Sequence, residues 1–157
     1  DEYWKALKQN GTLIVSDWTT AYYTEFSGSS GKGERPIVVS YGSSPPAEMI
    51  FASPRPATAP TAVASLTCFR QVEFAGILRG TKHESEAKLL IDYLTDLKFQ
   101  EDLPLTLFVY PANVNAKLPD DFVKYSLRPE SPLQLDPELI SRSLLIWLDE
   151  FTNIMLR

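Results

Sequence analysis

The chain has 157 residues, of which 44% are hydrophobic and 22% are charged, so it lies in the range of one ordinary globular domain. Its formal net charge of −5 argues against a nucleic-acid binder, which needs a basic face to displace counterions from phosphates. No uncharged apolar run reaches the roughly 18 residues of a bilayer-spanning helix. The lone cysteine, Cys68, excludes an intrachain disulfide and a thiolate metal cluster.

The first ten residues predict a helix that the sequence enters part-way. Tyr3, Trp4 and Leu7 recur at helical spacing, and Gly11 ends the pattern. The basic-then-apolar pattern of an export signal does not occur in this stretch. We therefore expect any secretory or lipoprotein signal to lie upstream of Asp1.

Three apolar runs that end in polar or aromatic residues predict strands that lead to a ligand. Residues 12–16 lead to Trp18, residues 36–41 lead to Ser44, and residues 105–110 contain Phe108. Ligands of open α/β sheets bind beyond the carboxyl ends of the strands. We therefore expect residues 12–16 and 38–41 to be neighbouring strands, with Trp18 and Tyr41 on one concave surface. Such rings hold a flat, cationic ligand by stacking and cation–π attraction.

Helix signals mark further segments. Asp17 is a candidate cap for residues 18–26, and residues 44–51 are expected to form a short helix. Thr81 and Glu84 have the spacing of a capping box. Asp136 followed by Pro137 predicts the start of the last helix.

The remaining segments predict loops and one more strand. Residues 53–60 form a Pro-rich loop, because their three prolines remove amide donors, and residues 68–78 alternate as a long strand does. The glycine-rich residues 28–33 are a surface turn and not a phosphate loop, since Phe26 stands where the first glycine is needed. Alternating strands and helices predict an α/β lobe with helices packed on a mixed sheet.

Catalytic and metal-binding signals are weak. His83, the single histidine, stands in a helix-start turn beside Lys82 and Glu84. Cys68 has no base near it in sequence, as an activated thiolate would need. We therefore predict no catalytic residue, no metal site and no cofactor.

Three segments carry a resemblance to a known family. They are WTTAYYT at residues 18–24, VVSYGSSP at residues 38–45 and FVYP at residues 108–111. Their order and spacing resemble the second half of periplasmic thiamine-binding proteins of ABC importers, over nearly all 157 residues. The Tyr-x-x-Ser-Pro element is shared with iron- and polyamine-type solute-binding proteins, whereas the other two elements favour thiamine.

The resemblance implies a type II, two-lobed periplasmic-binding fold that traps its ligand between lobes and performs no chemistry. Residues 1–157 would be a single C-terminal region, without the N-terminal lobe that supplies the opposing face and an acidic partner for the thiazolium. Trp18 and Tyr41 would be cleft aromatics, Ser44 a polar contact, and Phe108 would stand where relatives often carry a Trp. Ala47 departs from the pattern, since thiamine binders place a ring-stacking Tyr close to that point.

The functional expectation is capture of thiamine or its phosphate esters for delivery to an ABC permease, in the periplasm or another extracytoplasmic location. The alternatives are another small solute (an iron complex, a polyamine or a phosphorylated sugar) and a thiaminase-like enzyme on the same fold that attacks with a cysteine. The last helix has an apolar face that includes Trp147, Leu148 and Phe151. We therefore expect self-association through that helix or by exchange of an element.

Overall fold

The structure is a computed structural model that describes residues 1–28 and 32–157. The middle of the predicted turn at residues 28–33 lies outside this part of the chain. The described chain is mainly helical, with α1 at Glu2–Gln9, a π-helix at Thr20–Glu25, α2 at Ser44–Phe51, a 3-10 turn at Ser65–Thr67, α3 at Glu84–Thr95, α4 at Leu97–Thr106, α5 at Asp120–Tyr125 and α6 at Pro137–Met155.

Two compact units divide the chain. Unit 1 combines Asp1–Ser40 with Leu133–Arg157, and unit 2 is Tyr41–Pro132. The packing of each unit is built on helices.

The prediction of an α/β lobe with helices on a mixed sheet is wrong. Helices take up 48% of the structure and strand residues 3%, and residues 1–28 and 32–157 form no sheet. A β-strand needs a neighbour that pairs with its backbone N–H and C=O groups. Residues 12–16, 36–41 and 68–78 form no strand. Their apolar side chains are largely exposed, as Val39 and Phe74 show at 91% and 90%.

An isolated parallel bridge joins Phe26 to Arg35 in unit 1. The N–H of Ser27 donates to the carbonyl of Arg35 at 2.9 Å, and the N–H of Arg35 donates to the carbonyl of Glu25 at 3.0 Å. A side chain at Gly33 would collide with the backbone of Glu25. Gly33 therefore permits a close approach that another residue would block.

Unit 1 is organised by the packing of α1 on α6. The rings of Trp4 and Phe151 meet edge to face at 5.0 Å, and the ammonium of Lys8 donates to the carbonyl of Ile154 at 2.7 Å. The predicted start of α6 is confirmed: Pro137 is its first residue, and the carboxylate of Asp136 accepts from the N–H of Glu138 at 2.8 Å.

In unit 2, α2 packs on α5, and each of these helices contributes a fully buried side chain. Phe122 of α5 is 0% exposed and Met49 of α2 is 1% exposed. The ring of Tyr110 meets Phe122 edge to face at 6.2 Å, and its hydroxyl donates to the hydroxyl of Ser126 at 2.6 Å. The segment that follows α4 is thereby fixed to α5.

A second part of unit 2 depends on Gln100, a buried polar residue of α4. Its side-chain NH₂ donates to the carbonyl of Leu94 at 2.6 Å. Its side-chain oxygen accepts from the N–H groups of Ala112 at 2.6 Å and Asn113 at 3.1 Å. One amide therefore joins the end of α3, the middle of α4 and the loop after α4.

The predicted helices at residues 44–51 and after Gly80 are confirmed, but the capping box is wrong. The hydroxyl of Thr81 accepts from the N–H of His83 at 3.2 Å, within a turn, and α3 begins only at Glu84. The expected strand at residues 105–110 is also wrong, because α4 continues to Thr106. None of the described helices is long and apolar enough to cross a membrane.

Replacing Gln100 tests the proposed role of its amide. Gln100→Leu removes three hydrogen bonds and leaves backbone groups without partners, so we expect the free energy of unfolding to fall by about 1–3 kcal/mol. Urea denaturation followed by far-UV circular dichroism measures the change. Gln71→Leu is the matched control, because Gln71 is exposed in the same unit. Equal stability of the two variants would contradict the prediction.

The ion pair between Arg55 and Asp121 predicts how the stability of the fold changes at acid pH. The Arg55 guanidinium donates to both carboxylate oxygens of Asp121, at 2.9 and 2.7 Å. The hydrogen bond from Arg55 lowers the pKa of Asp121 below its ordinary value of 3.8. A lowered folded-state pKa stabilises the fold above the unfolded-state pKa, and this contribution disappears as pH falls through the folded-state pKa.

We therefore expect Arg55→Gln to lower stability at neutral pH and to make the loss of stability below about pH 5 less steep. Urea midpoints measured from neutral to acid pH provide the test. Arg79→Gln, at an exposed arginine of unit 2, serves as the control. Parallel pH profiles for wild type and Arg55→Gln would show that the pair does not act in this way.

Candidate functional site

The candidate site begins in the turn that leads into α2. The N–H of Ser44 donates to the carbonyl of Tyr41 at 3.0 Å, and the N–H of Leu127 donates to the carbonyl of Gly42 at 3.3 Å. A Cβ atom on Gly42 would lie 2.9 Å from the carbonyl oxygen of Leu127. Glycine therefore lets the chain after α5 approach the turn that carries Tyr41.

One side of α2 carries the chemistry of the site. Ser44, Glu48 and Phe51 recur at positions i, i+4 and i+7, so they lie along one helix face. The buried residues of α2, which are Pro45, Pro46 and Met49, lie at other positions around the helix. The face thus presents a hydroxyl, a carboxylate and an aromatic ring in succession, with the exposed Tyr41 just before the helix.

Phe108 contributes a second ring next to this face. Its ring meets that of Phe51 edge to face at 5.5 Å. Phe108 follows the last residues of α4 with φ of 57°, the left-handed conformation that glycine usually adopts after a helix. Non-glycine residues occupy this region at a cost of about 1–2 kcal/mol. This conformation places the ring at the end of α4, and the surrounding structure offsets its cost.

The electrostatic feature of the site is the carboxylate of Glu48. Its Oε1 atom is buried and has no hydrogen-bond partner among the described residues. A charged oxygen without a partner costs free energy that a cation can offset. The hydroxyl of Thr61 is also buried without such a partner, but it is neutral. The face of α2 therefore suits a ligand that combines positive charge with a flat ring.

Trp18 belongs to unit 1 and lies two residues before the π-helix. Its indole N–H donates to the hydroxyl of Ser40 at 3.0 Å, and its ring stacks on Tyr22 at 4.9 Å. The carboxylate of Asp17 accepts from the N–H and the hydroxyl of Thr20 at 2.8 and 2.9 Å. The backbone hydrogen bond from Thr20 is the main cause that lowers the pKa of Asp17. The predicted role of Asp17 at the start of this helix is confirmed.

The four predicted ligand-binding residues are thus divided between the units. Trp18 lies in unit 1, whereas Tyr41, Ser44 and Phe108 lie in unit 2. Within unit 2, Tyr41 and Ser44 share the turn at the start of α2, and Phe51 connects α2 to Phe108. The common concave surface for Trp18 and Tyr41 stays a prediction.

Sequence analysis missed Glu48 and Phe51. Both follow Ser44 at helical spacing on a segment already predicted to be helical, so the spacing was a sufficient signal for their shared face. The burial of a single carboxylate oxygen and the contact with Phe108 depend on tertiary packing and leave no mark in the sequence.

The candidate catalytic residues lie elsewhere. Cys68 is partly exposed, with its Sγ 3.9 Å from the carbonyl oxygen of Ala64. The side chain of His83 is 78% exposed at the start of α3, 3.9 Å from Glu86. No group of three or more histidine, cysteine or acidic side chains could hold a metal ion within residues 1–28 and 32–157.

Unit 1 contains an open groove. Its volume is about 500 Å³, and it is lined by Asp1, Trp4, Trp147, Leu148, Glu150 and Phe151. It contains none of the predicted ligand-binding residues.

Comparison with known proteins finds curated relatives named thiamine-binding periplasmic protein. Those from Brucella melitensis biotype 1, Brucella suis biovar 1 and Brucella abortus biovar 1 are each 26% identical to the chain over 149 residues. The match covers 94% of this chain and 42% of each relative, so the chain spans about two fifths of their length. No protein-family model matches the chain. No solved structure matches it either.

Two substitutions of Phe108 distinguish the effect of its backbone conformation on stability from the effect of its ring. Because φ is positive there, we expect Phe108→Gly to be more stable than Phe108→Ala by about 1–2 kcal/mol, although both variants lose the contact with Phe51. Urea denaturation of the two variants measures this difference. A matched pair at Phe69, whose backbone does not have positive φ, should instead favour alanine. A more stable alanine variant at position 108 would argue against the left-handed conformation.

Proposed function

We propose that this chain is part of a solute-binding protein that captures thiamine outside the cytoplasm and delivers it to the permease of an ABC importer. The observation that carries the proposal is the similarity to thiamine-binding periplasmic proteins over 94% of the chain. The relatives are named as binding proteins, and their name also places them in the periplasm. Since the chain matches 42% of each relative, we propose that it supplies part of the ligand contacts.

The chemistry of the α2 face supports this proposal. Thiamine joins an aminopyrimidine ring to a positively charged thiazolium ring. In the proposed complex Tyr41 stacks on one of these rings, Ser44 forms a hydrogen bond with the aminopyrimidine, and Glu48 pairs with the thiazolium charge. Phe51 and Phe108 cover the apolar edge. Stacking and cation–π contacts contribute roughly 0.5–2 kcal/mol each.

The negative charge of Glu48 favours thiamine over some of the alternative solutes. A buried carboxylate oxygen without a hydrogen-bond partner among the described residues repels the phosphate of a phosphorylated sugar. A polyamine satisfies the carboxylate but leaves the aromatic rings without a flat partner. The combination of rings and carboxylate therefore favours thiamine, and a bound thiamine phosphate would direct its phosphate away from Glu48.

Ligand titration with matched variants tests the proposed function. A ligand at a concentration equal to its dissociation constant adds about 0.4 kcal/mol to stability, which raises Tm by roughly 1–2 °C for a chain of this size. We therefore expect a small rise with thiamine at millimolar concentration. Glu48→Gln should weaken thiamine binding several-fold in saturation-transfer NMR, whereas Glu86→Gln on the exposed surface of α3 should not.

The same titration distinguishes the alternatives. Spermidine and glucose 6-phosphate should bind more weakly than thiamine, and stronger binding of either would contradict the assignment. Cys68→Ser should bind thiamine as well as wild type does. Degradation of thiamine by wild type but not by Cys68→Ser would instead identify a thiaminase-like enzyme.

A further inference from the structure

Within unit 2, α2 is attached to α5 near both of its ends. Just before α2, the carbonyl of Gly42 accepts from the N–H of Leu127, which follows α5, at 3.3 Å. Just after α2, the guanidinium of Arg55 donates to both carboxylate oxygens of Asp121, in the first turn of α5, at 2.9 and 2.7 Å. The two helices pack on each other. They therefore run antiparallel, with one attachment near each end of α2.

The last turn of α2 contains two residues of the candidate site, Glu48 and Phe51. The last carbonyl groups of a helix have no partner within the helix, so its end frays unless other contacts hold it. A Schellman closure of α2 would need the N–H of Pro54, which proline lacks. Ser53 does not have the positive φ of the alternative αL closure. The order of the last turn therefore depends on contacts made by the chain that follows α2.

The pair of Arg55 and Asp121 has the geometry that such a contact needs. Exposed ion pairs contribute little on average, but a guanidinium that donates to both oxygens of a carboxylate fixes the orientation of both groups. The side chain of Asp121 is only 16% exposed, and the next residue, Phe122, is 0% exposed. The ion pair therefore joins the chain just beyond Phe51 to a firmly packed part of α5.

We propose that Arg55 and Asp121 are positioning residues for the α2 face. Their ion pair holds the last turn of α2 on α5, so that the ring of Phe51 keeps its contact with Phe108 at 5.5 Å and Glu48 keeps its place on the same face. Neither Arg55 nor Asp121 contacts the ligand in this role. The effect on ligand affinity rests on the proposed function, whereas the effect on the two rings does not.

Removal of each charge distinguishes positioning from a direct effect of charge on the ligand. If only the electric field mattered, Arg55→Gln would strengthen the binding of cationic thiamine and Asp121→Asn would weaken it. The positioning role predicts that both variants weaken binding several-fold in saturation-transfer NMR. The double variant should bind no more weakly than either single variant, because the two residues act as a unit. Arg79→Gln, at an exposed arginine of the same unit, should leave affinity unchanged.

Ring contacts in the protein without ligand provide a second measurement. Nuclear Overhauser effects between the rings of Phe51 and Phe108 should weaken in Arg55→Gln. Those between Tyr110 and Phe122, whose rings meet at 6.2 Å on α5, should persist, so a general loss of packing would be recognised. Arg55→Lys keeps the charge but cannot donate in the same planar fork, and its ring contacts should also weaken. Far-UV circular dichroism establishes that each variant is folded.

The two measurements keep this proposal separate from the proposed function. A wild-type chain that binds no thiamine would contradict the proposed function, and the ring contacts would still decide the role of the ion pair. Unchanged contacts between Phe51 and Phe108 in a folded Arg55→Gln variant would overturn the positioning role. Opposite effects of Arg55→Gln and Asp121→Asn on affinity would also overturn it, as would additive effects in the double variant.

Discussion

The buried amide of Gln100 is the constraint on which the geometry of unit 2 depends. It holds the carbonyl of Leu94 and the N–H groups of Ala112 and Asn113 at once. The loop between α4 and these residues includes Phe108, so its two ends are fixed on the same helix. Because loop ends that are fixed leave fewer backbone conformations, Phe108 can be held in the left-handed region that an unconstrained phenylalanine avoids.

Local signals predicted the helices better than the sheet. Asp136 and Pro137 act through atoms two or three residues away, so their effect on the start of α6 can be inferred from sequence alone. The strand predicted at residues 36–41 needed a neighbouring strand, and alternation of side chains does not show whether one exists. The segment at residues 105–110 was misread because an apolar run of that length fits a helix end as well as a strand.

The candidate site shows the same division between local and tertiary information. Tyr41 and Ser44 were inferred from the sequence because the turn before α2 is marked by glycine and serine residues. The role suggested for Glu48 became visible only when the packing of α2 showed that one carboxylate oxygen is buried without a hydrogen-bond partner among the described residues. The role of Phe108 as a ligand-binding aromatic stays a prediction, but the strand expected to carry it is wrong, because α4 continues to Thr106.

Two energetically unfavourable features, one of backbone conformation and one of hydrogen bonding, occur on or next to the α2 face. Both are relevant to the choice of ligand. Phe108 occupies a conformation suited to glycine, and Glu48 keeps a buried oxygen without a partner. Each costs free energy in the absence of ligand, whereas the packing of Phe122 and Met49 beside them obeys ordinary rules of core formation. Such conflicts persist where the surrounding structure compensates for them, and they concentrate at binding sites. In the proposed complex a cationic ring pairs with Glu48 and contacts the ring of Phe108, which the surrounding structure of unit 2 holds in its strained conformation.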